Sequence, residues 1–114
     1  MNCVENDRAT QWLDFIEEAP VGFHQLDAQG RIVRVNQTEL RFLGYVAEEM
    51  VGRSVADFVV GGEREMTRIR GKLAGYLPVG RPEAREFRRK DGTLVPVVLA
   101  ERAILDRQGK IAGL

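Results

Sequence analysis

The two residue types that most often carry chemistry, cysteine and histidine, occur once each in this 114-residue chain, as Cys3 and His24. A lone cysteine can form neither an internal disulfide nor a cysteine metal site. A lone histidine excludes every zinc motif built on a histidine pair. A Ser-His-Asp set would have to use His24, and no G-x-S-x-G turn is present to expose a nucleophile. Gly61-Gly62 is not followed by Lys-Ser or Lys-Thr, so it is not a phosphate loop. The carboxylate pairs Glu17-Glu18 and Glu48-Glu49 fall in helical segments, where solvent exposure is their ordinary explanation. This inventory argues against an enzyme and for a binding or interaction module.

Two polar residues stand out. Strand alternation places Gly22, His24 and Leu26 on one face and Val21, Phe23 and Gln25 on the other. Composition does not decide which face is buried. An inward imidazole could hydrogen-bond a ligand carboxylate or carbonyl and titrate near neutrality. The competing reading is a core histidine satisfied by a neighbouring side chain, backbone or water. Further on, Arg85, Phe87 and Arg89 share one strand face, and Glu86, Arg88 and Lys90 the other. An inward Arg85 could grip an anion through two N–H groups. A solvated edge strand, charged to deter sheet-to-sheet pairing, is the simpler expectation. Val95, Val97 and Leu99 line one face of the next strand, with Glu101 beyond them, and read as core wall.

The elements that position these residues follow from turn signals and periodicity. Asp27-Ala28-Gln29-Gly30, Asp91-Gly92 and Asp106-Arg107-Gln108-Gly109 place Asp or Gly where a tight connection needs a side-chain cap or positive φ. They delimit five strands, over 21–26, 31–36, 83–90, 93–104 and 110–114. Between the second and third, residues 37–77 read as helical. Gly44 and Gly52 act as stops, Ser54 as an N-cap, and the longest helix spans 63–77 on a stripe of Met66, Ile69, Leu73, Tyr76 and Leu77. A further helix precedes the first strand, capped by Asp7 and ended by Pro20. Its stripe is Ala9, Trp12, Leu13, Ile16 and Ala19, widened by Phe15.

Composition sets the frame. A chain of this length holds one domain, and 44% hydrophobic residues supply one core. Zero net charge removes the footprint of a nucleic-acid binder. No apolar run approaches a membrane span, and the first eight residues do not read as a signal peptide, so a cytoplasmic, disulfide-free module is expected. Residues 1–60 carry 10 acidic and 5 basic side chains, and residues 61–114 carry 7 acidic and 12 basic. The simplest account is that the two halves interleave and attract each other.

The order of elements and three stretches of residues together resemble a PAS sensor domain. The stretches are Val35-Asn36, Gly44-Tyr45 and Glu48-Glu49-Met50-Val51-Gly52-Arg53-Ser54; then Glu86-Phe87-Arg88-Arg89-Lys90-Asp91-Gly92-Thr93; then Asp106-Arg107-Gln108-Gly109-Lys110-Ile111-Ala112-Gly113-Leu114. The resemblance implies an α+β fold with a five-stranded antiparallel sheet in order 2-1-5-4-3, helices across one face, and an N-terminal flanking helix. Residues 1–18 would form that helix and 19–114 the sensory domain. The Asp-x-Thr that usually follows the last strand does not occur, so the chain is expected to be a sensory piece separated from its effector.

The resemblance also implies a cavity between sheet and helices, holding a small ligand. His24, Leu26, Leu43, Val55, Phe58, Ile69, Phe87, Val97 and Leu99 are its expected lining. Trp12, Leu13, Phe15 and Ile16 are the expected contact of a homodimer. Flavin photochemistry is not expected, because Val55 stands where the light-sensing branch places its reactive cysteine. Haem is not expected either, because residues 63–77 contain no histidine. The implied function is a sensory module that controls an attached C-terminal effector, a sensor histidine kinase, through ligand binding and dimer rearrangement. The alternative is a ligand-free dimerisation scaffold in a diguanylate cyclase or transcription regulator. No nucleic-acid partner and no membrane segment are expected.

Overall fold

The computed structural model describes the backbone from Cys3 to Leu114 and the side chains from Thr10 onward. Helix α1 spans Cys3–Glu17. It begins before Asp7, which therefore lies inside the helix and not at its N-cap. The side chains of Cys3, Asp7 and Ala9 fall outside the described residues.

Strands β1 (His24–Leu26) and β2 (Ile32–Val35) form the first hairpin. Its turn is built by Asp27, whose Oδ1 accepts from the N–H groups of Gln29 at 2.8 Å and Arg31 at 3.0 Å. The same device recurs in the last hairpin, where Asp106 Oδ1 accepts from Gln108 and Lys110, each at 2.9 Å. In the middle hairpin Asp91 Oδ1 accepts from Thr93 N at 2.9 Å, and Gly92 takes φ +89°. A short acceptor at the first turn position fixes each loop locally, which is why all three were legible from sequence.

Helix α2 (Gln37–Leu43) is capped by Asn36 and stopped by Gly44 in the left-handed region. Helix α3 (Ala47–Met50) follows, with Glu49 Oε1 accepting from Val46 N at 3.0 Å. A 3₁₀ turn over Val55–Phe58 has Ser54 as its cap. Helix α4 spans Gly62–Leu73, and so stops short of the expected 77. The cause is a Schellman end: Tyr76 N donates to Gly71 O at 2.8 Å and Gly75 N to Lys72 O at 3.1 Å, with Gly75 at φ +86°. Tyr76 thereby leaves the stripe and is 85% exposed.

Strand β3 (Glu83–Arg88) pairs antiparallel with β4 (Leu94–Leu99), and β5 (Ile104–Leu105) with β6 (Ile111–Gly113). The expected fourth strand is thus broken at residues 100–103, and regular pairing forms three hairpins instead of one continuous sheet. The break falls where Glu101 turns its carboxylate to Lys72 on α4. Two reciprocal backbone bonds, Leu26 N to Leu114 O at 2.8 Å and Leu114 N to Leu26 O at 3.1 Å, join the first hairpin to the last. The neighbour sequence β2-β1-β6-β5 follows from these bonds, and the chain then leads back from β5 to the β4-β3 hairpin.

Each outer edge is covered in part. Ile32 N donates to Arg53 O and Gly52 N to Ile32 O, so the Gly52-Arg53-Ser54 segment lies along β2. Val60 N donates to Glu86 O, with Val59 bridging Phe87 on β3. Covered edges cannot template pairing with another chain. The core is one cluster between the hairpins and helices α2 to α4. Its fully buried members are Leu26, Ile32, Leu43, Met50 and Ile69, and each such side chain contributes roughly 1.5–3 kcal/mol by leaving water. Among the described ion pairs, Lys90–Glu49 at 2.8 Å joins the acidic and basic halves, while the others lie within one half. The halves interleave by hydrophobic packing, not by mutual charge.

Gly113 is the tightest point of this assembly, since a Cβ there would lie 2.2 Å from the Leu26 carbonyl oxygen. Gly113→Val is expected to destabilise the fold more than Gly92→Val, whose cost is backbone strain of about 1–3 kcal/mol. Urea midpoints of the two variants check this, and a wild-type midpoint for Gly113→Val would refute the close approach of β1 and β6.

Candidate ligand site

Glu39 stands in the first turn of α2, directed back over β1 by the Asn36 cap. Both of its carboxylate oxygens lie within hydrogen-bond distance of His24 Nδ1, at 3.0 and 2.9 Å. The two side chains are each 12% exposed. Gly22 makes the approach possible, because a Cβ there would come within 3.0 Å of Glu39 Cβ and Oε1. Burial by itself lowers the pKa of His24. The hydrogen bond and charge of Glu39, with the more distant charge of Glu101, outweigh burial and raise it above 6.5. His24 is therefore turned inward and satisfied by a neighbouring side chain.

Two clefts meet at this pair. The larger, about 820 Å³, runs between α1 and the β1 and β4–β5 region. Leu13 and Ile16 of α1 form one wall, and His24, Leu26, Leu99 and Glu101 the other. The smaller, about 350 Å³, reaches between α2 and the β3-β4 hairpin, against Leu43, Phe87, Val97 and Leu99. Glu39 lines both. Of the residues expected from sequence, His24, Leu26 and Leu99 line the larger cleft, and Leu43, Phe87, Val97 and Leu99 the smaller. Val55, Phe58 and Ile69 are packed in the core and line neither.

Adjoining the larger cleft through Glu101 is a charged cluster that sequence reasoning missed. Lys72 on α4 is 3% exposed and donates to Glu83 Oε1 at 2.6 Å and to Glu101 Oε1. Arg85 on β3 donates through Nε to Glu65 and through Nη2 to Glu83 Oε2 at 2.8 Å. The hydrogen bonds from Lys72 and then Arg85 hold the Glu83 pKa down to about 2. Burial opposes the charge on Lys72, but Glu101 and Glu83 raise its pKa above 10.5. The solvated-edge expectation for Arg85 is overturned, because its side chain is only 8% exposed. The reason is tertiary: α4 lies across β3 and presents Glu65. Glu65, Ile69 and Lys72 share the buried face of α4. Their helical spacing is the available signal, masked because two of the three are charged.

Trp12 and Phe15 on α1 are 65% and 67% exposed and stack edge to face at 5.7 Å between ring centroids. Leu13 is half exposed, and Ile16 half buried against the larger cleft. The expected dimer contact thus forms an open apolar patch in the single chain.

A family model described as the PAS fold matches residues 10–114. The chain belongs to the PAS family. Its α+β architecture is that of PAS domains, with the sheet divided into hairpins as described. The PAS domain of the HTR-like protein from Haloarcula marismortui aligns with a TM-score of 0.77 and 24% identity, over 95% of this chain and 88% of that one. A domain of the sensory box sensor histidine kinase/response regulator from Geobacter sulfurreducens aligns with a TM-score of 0.70 and 24% identity, over 93% and 90%. The C4-dicarboxylate transport sensor protein DctS of Rhodobacter capsulatus is 32% identical over 103 residues, covering 85% of this PAS domain and 15% of the relative's own length. The domain is similar in sequence to part of a transport sensor protein and in fold to a domain of a sensor histidine kinase/response regulator. Among the described residues no helix is long and apolar enough to cross a membrane.

Two measurements check the electrostatics of the site. A pKa raised on folding means that the His24–Glu39 pair stabilises the fold fully below 6.5 and ceases to as pH rises through the raised value. The stability gap between wild type and His24→Gln, from urea unfolding, is therefore expected to be larger near about pH 6 than near about pH 9. A gap that is constant or widens with pH counts against the pair. In the charged cluster, Lys72→Met leaves Glu101 without its cation and Glu83 with Arg85 alone, and is expected to cost about 3–5 kcal/mol. Adding Glu101→Leu should recover part of that loss, and a strictly additive double-mutant cycle would contradict the geometry.

Proposed function

We propose that this PAS domain is the small-molecule sensor of a cytoplasmic signalling protein, acting as a homodimer and controlling an attached histidine kinase C-terminal to it. The observation that carries the reading is the construction of the larger cleft. Leu13 and Ile16 of α1 form one wall, and His24 and Glu101 the other. Any occupant touches the flanking helix and the sheet at once. Occupancy would then favour one placement of α1 over another, and a ligand shifts an equilibrium only through such differential contact. Its volume is within the roughly 300–1,000 Å³ of ordinary small-molecule sites.

The dimer contact would be the open face of α1. An isolated helix of this length is marginal in water, and α1 half-buries Ile16 while Leu13 stays half exposed at the cleft and Trp12 and Phe15 remain outside. A second copy covering Trp12 and Phe15 would use both sides of the helix. The kinase as effector rests on the relatives, two of which carry sensor-kinase or transport-sensor names.

Sedimentation of the wild type is expected to give a dimer, and removal of residues 1–18 a folded monomer. Trp12→Glu should weaken the dimer by placing a charge in the contact. A wild type that remains monomeric at high micromolar concentration would refute the dimer. Native against denatured mass tests the ligand: bound mass present only in the native spectrum supports a sensor, and its absence with an intact dimer favours the scaffold.

A further inference from the structure

We infer that the smaller cleft binds a small organic ammonium ion, with Glu39 as its counter-ion and an apolar body lodged against Leu43, Phe87, Val97 and Leu99. This assignment rests on the ligand-binding reading above and adds the chemical class of the ligand.

The charge of the lining decides the class. The cleft holds about 350 Å³, and Glu39 is the sole charged residue along it. No Lys, Arg or His side chain lines it, and the one charge along it is a carboxylate whose imidazole partner lies on the other side, so an entering carboxylate or phosphate would find no cation to meet it. Among the described residues no group of three or more His, Cys, Asp or Glu side chains is placed to hold a metal ion. A neutral apolar molecule would fill the walls and leave the carboxylate unused.

The hydrogen-bond inventory points the same way. An ionised carboxylate offers about four acceptor sites. Among the described residues, the one side-chain or backbone donor on the Glu39 carboxylate is His24 Nδ1, shared between both oxygens. Two or more acceptor sites therefore remain open on a carboxylate that is 12% exposed. An ammonium group brings up to three donors and a full charge, and charge-assisted bonds in a dry site are the strong ones. His24 approaches Glu39 from the larger cleft, together with Glu17, Arg34, Glu101 and Arg102 along that side. The ligand approaches from the smaller one, so imidazole and ammonium face each other across the same carboxylate. The cleft volume lies at the low end for ligand sites, which limits the body to about one ring.

The test uses three molecules of one shape, benzylammonium, benzyl alcohol and benzoate, titrated into the whole chain by calorimetry and by amide chemical shifts. Benzylammonium is expected to bind about tenfold or more tighter than benzyl alcohol, as one charged hydrogen bond implies, and benzoate not at all. Glu39→Gln should bring the ammonium and the alcohol to equal affinity. His24→Phe should tighten ammonium binding, because the competing cation is gone. Val97→Phe, which fills the cleft and leaves the charges alone, should abolish binding and guards against a misfolded Glu39 variant. Equal binding of the alcohol, preference for benzoate, or an ammonium preference that survives Glu39→Gln would overturn the assignment. An anionic or neutral ligand found in the native mass spectrum would overturn it while leaving the sensor reading intact. A chain that binds none of the three and carries no ligand would overturn both.

Discussion

The Asn36 side chain holds four backbone groups from three segments at once, and the arrangement of the site depends on it. Its Oδ1 accepts from Phe23 N at 2.9 Å and Glu39 N at 3.1 Å, and its Nδ2 donates to Ile16 O at 2.8 Å and Val21 O at 2.9 Å. These are all the hydrogen bonds a primary amide can make. The partners also define which end is oxygen, since two donors face one side and two carbonyls the other. At 1% exposure the amide has no water to fall back on. Losing it would strand several buried backbone groups, each of which costs about 1–3 kcal/mol when left unpaired. Through this one residue the end of α1, the approach to β1 and the start of α2 are held in a common frame. That frame aims Glu39 at His24.

Beneath it, the fold places charge where a PAS core could have been apolar. Glu65, Lys72, Glu83, Arg85 and Glu101 join α4 to β3 and to the segment after β4. Taking four of these charges largely out of water, with Glu83 still 31% exposed, is expensive, and their mutual attraction offsets the cost only when the geometry is good. Here each cation serves two carboxylates, and no buried side-chain nitrogen or oxygen among the described residues lacks a partner. Apolar side chains would hold these elements at least as firmly. What the ions add is directionality, because a helix that slips along the sheet breaks several bonds together. The same contact coincides with the break between β4 and β5, which opens the side of the larger cleft.

The site follows from these two constraints. Asn36 sets one wall by fixing α1 and α2, and the charged cluster sets the other by fixing β3 and the segment after β4 against α4. Glu39 stands between, bonded to His24 on one side and open to an apolar cleft on the other. Membership of the PAS family describes the frame, whereas the chemistry belongs to a few side chains set into it.

Local chemistry made much of this legible in the sequence. Asp27, Asp91 and Asp106 build their turns from bonds two to four residues away, so the hairpins could be read without knowing the rest of the chain. Gly44 and Ser54 did the same for helix ends. His24 was singled out, but its direction was not decided, because alternation assigns residues to faces without saying which face is buried. Its partner Glu39 lies 15 residues away, and no local pattern links them. In the sequence Glu65 reads only as a first-turn carboxylate that suits the helix dipole, Lys72 carries no signal, and Arg85 reads as solvated. A charged residue reads as exposed until the opposite charge on another element is known, and that is decided only when α4 is laid across β3. The sequence by itself determined the order of the elements, the turns and the family, since these rest on interactions within a few residues. Which charges are buried, which carboxylate is left with open acceptor sites, and where the clefts lie were decided by the tertiary structure alone, since each depends on groups that only folding brings together.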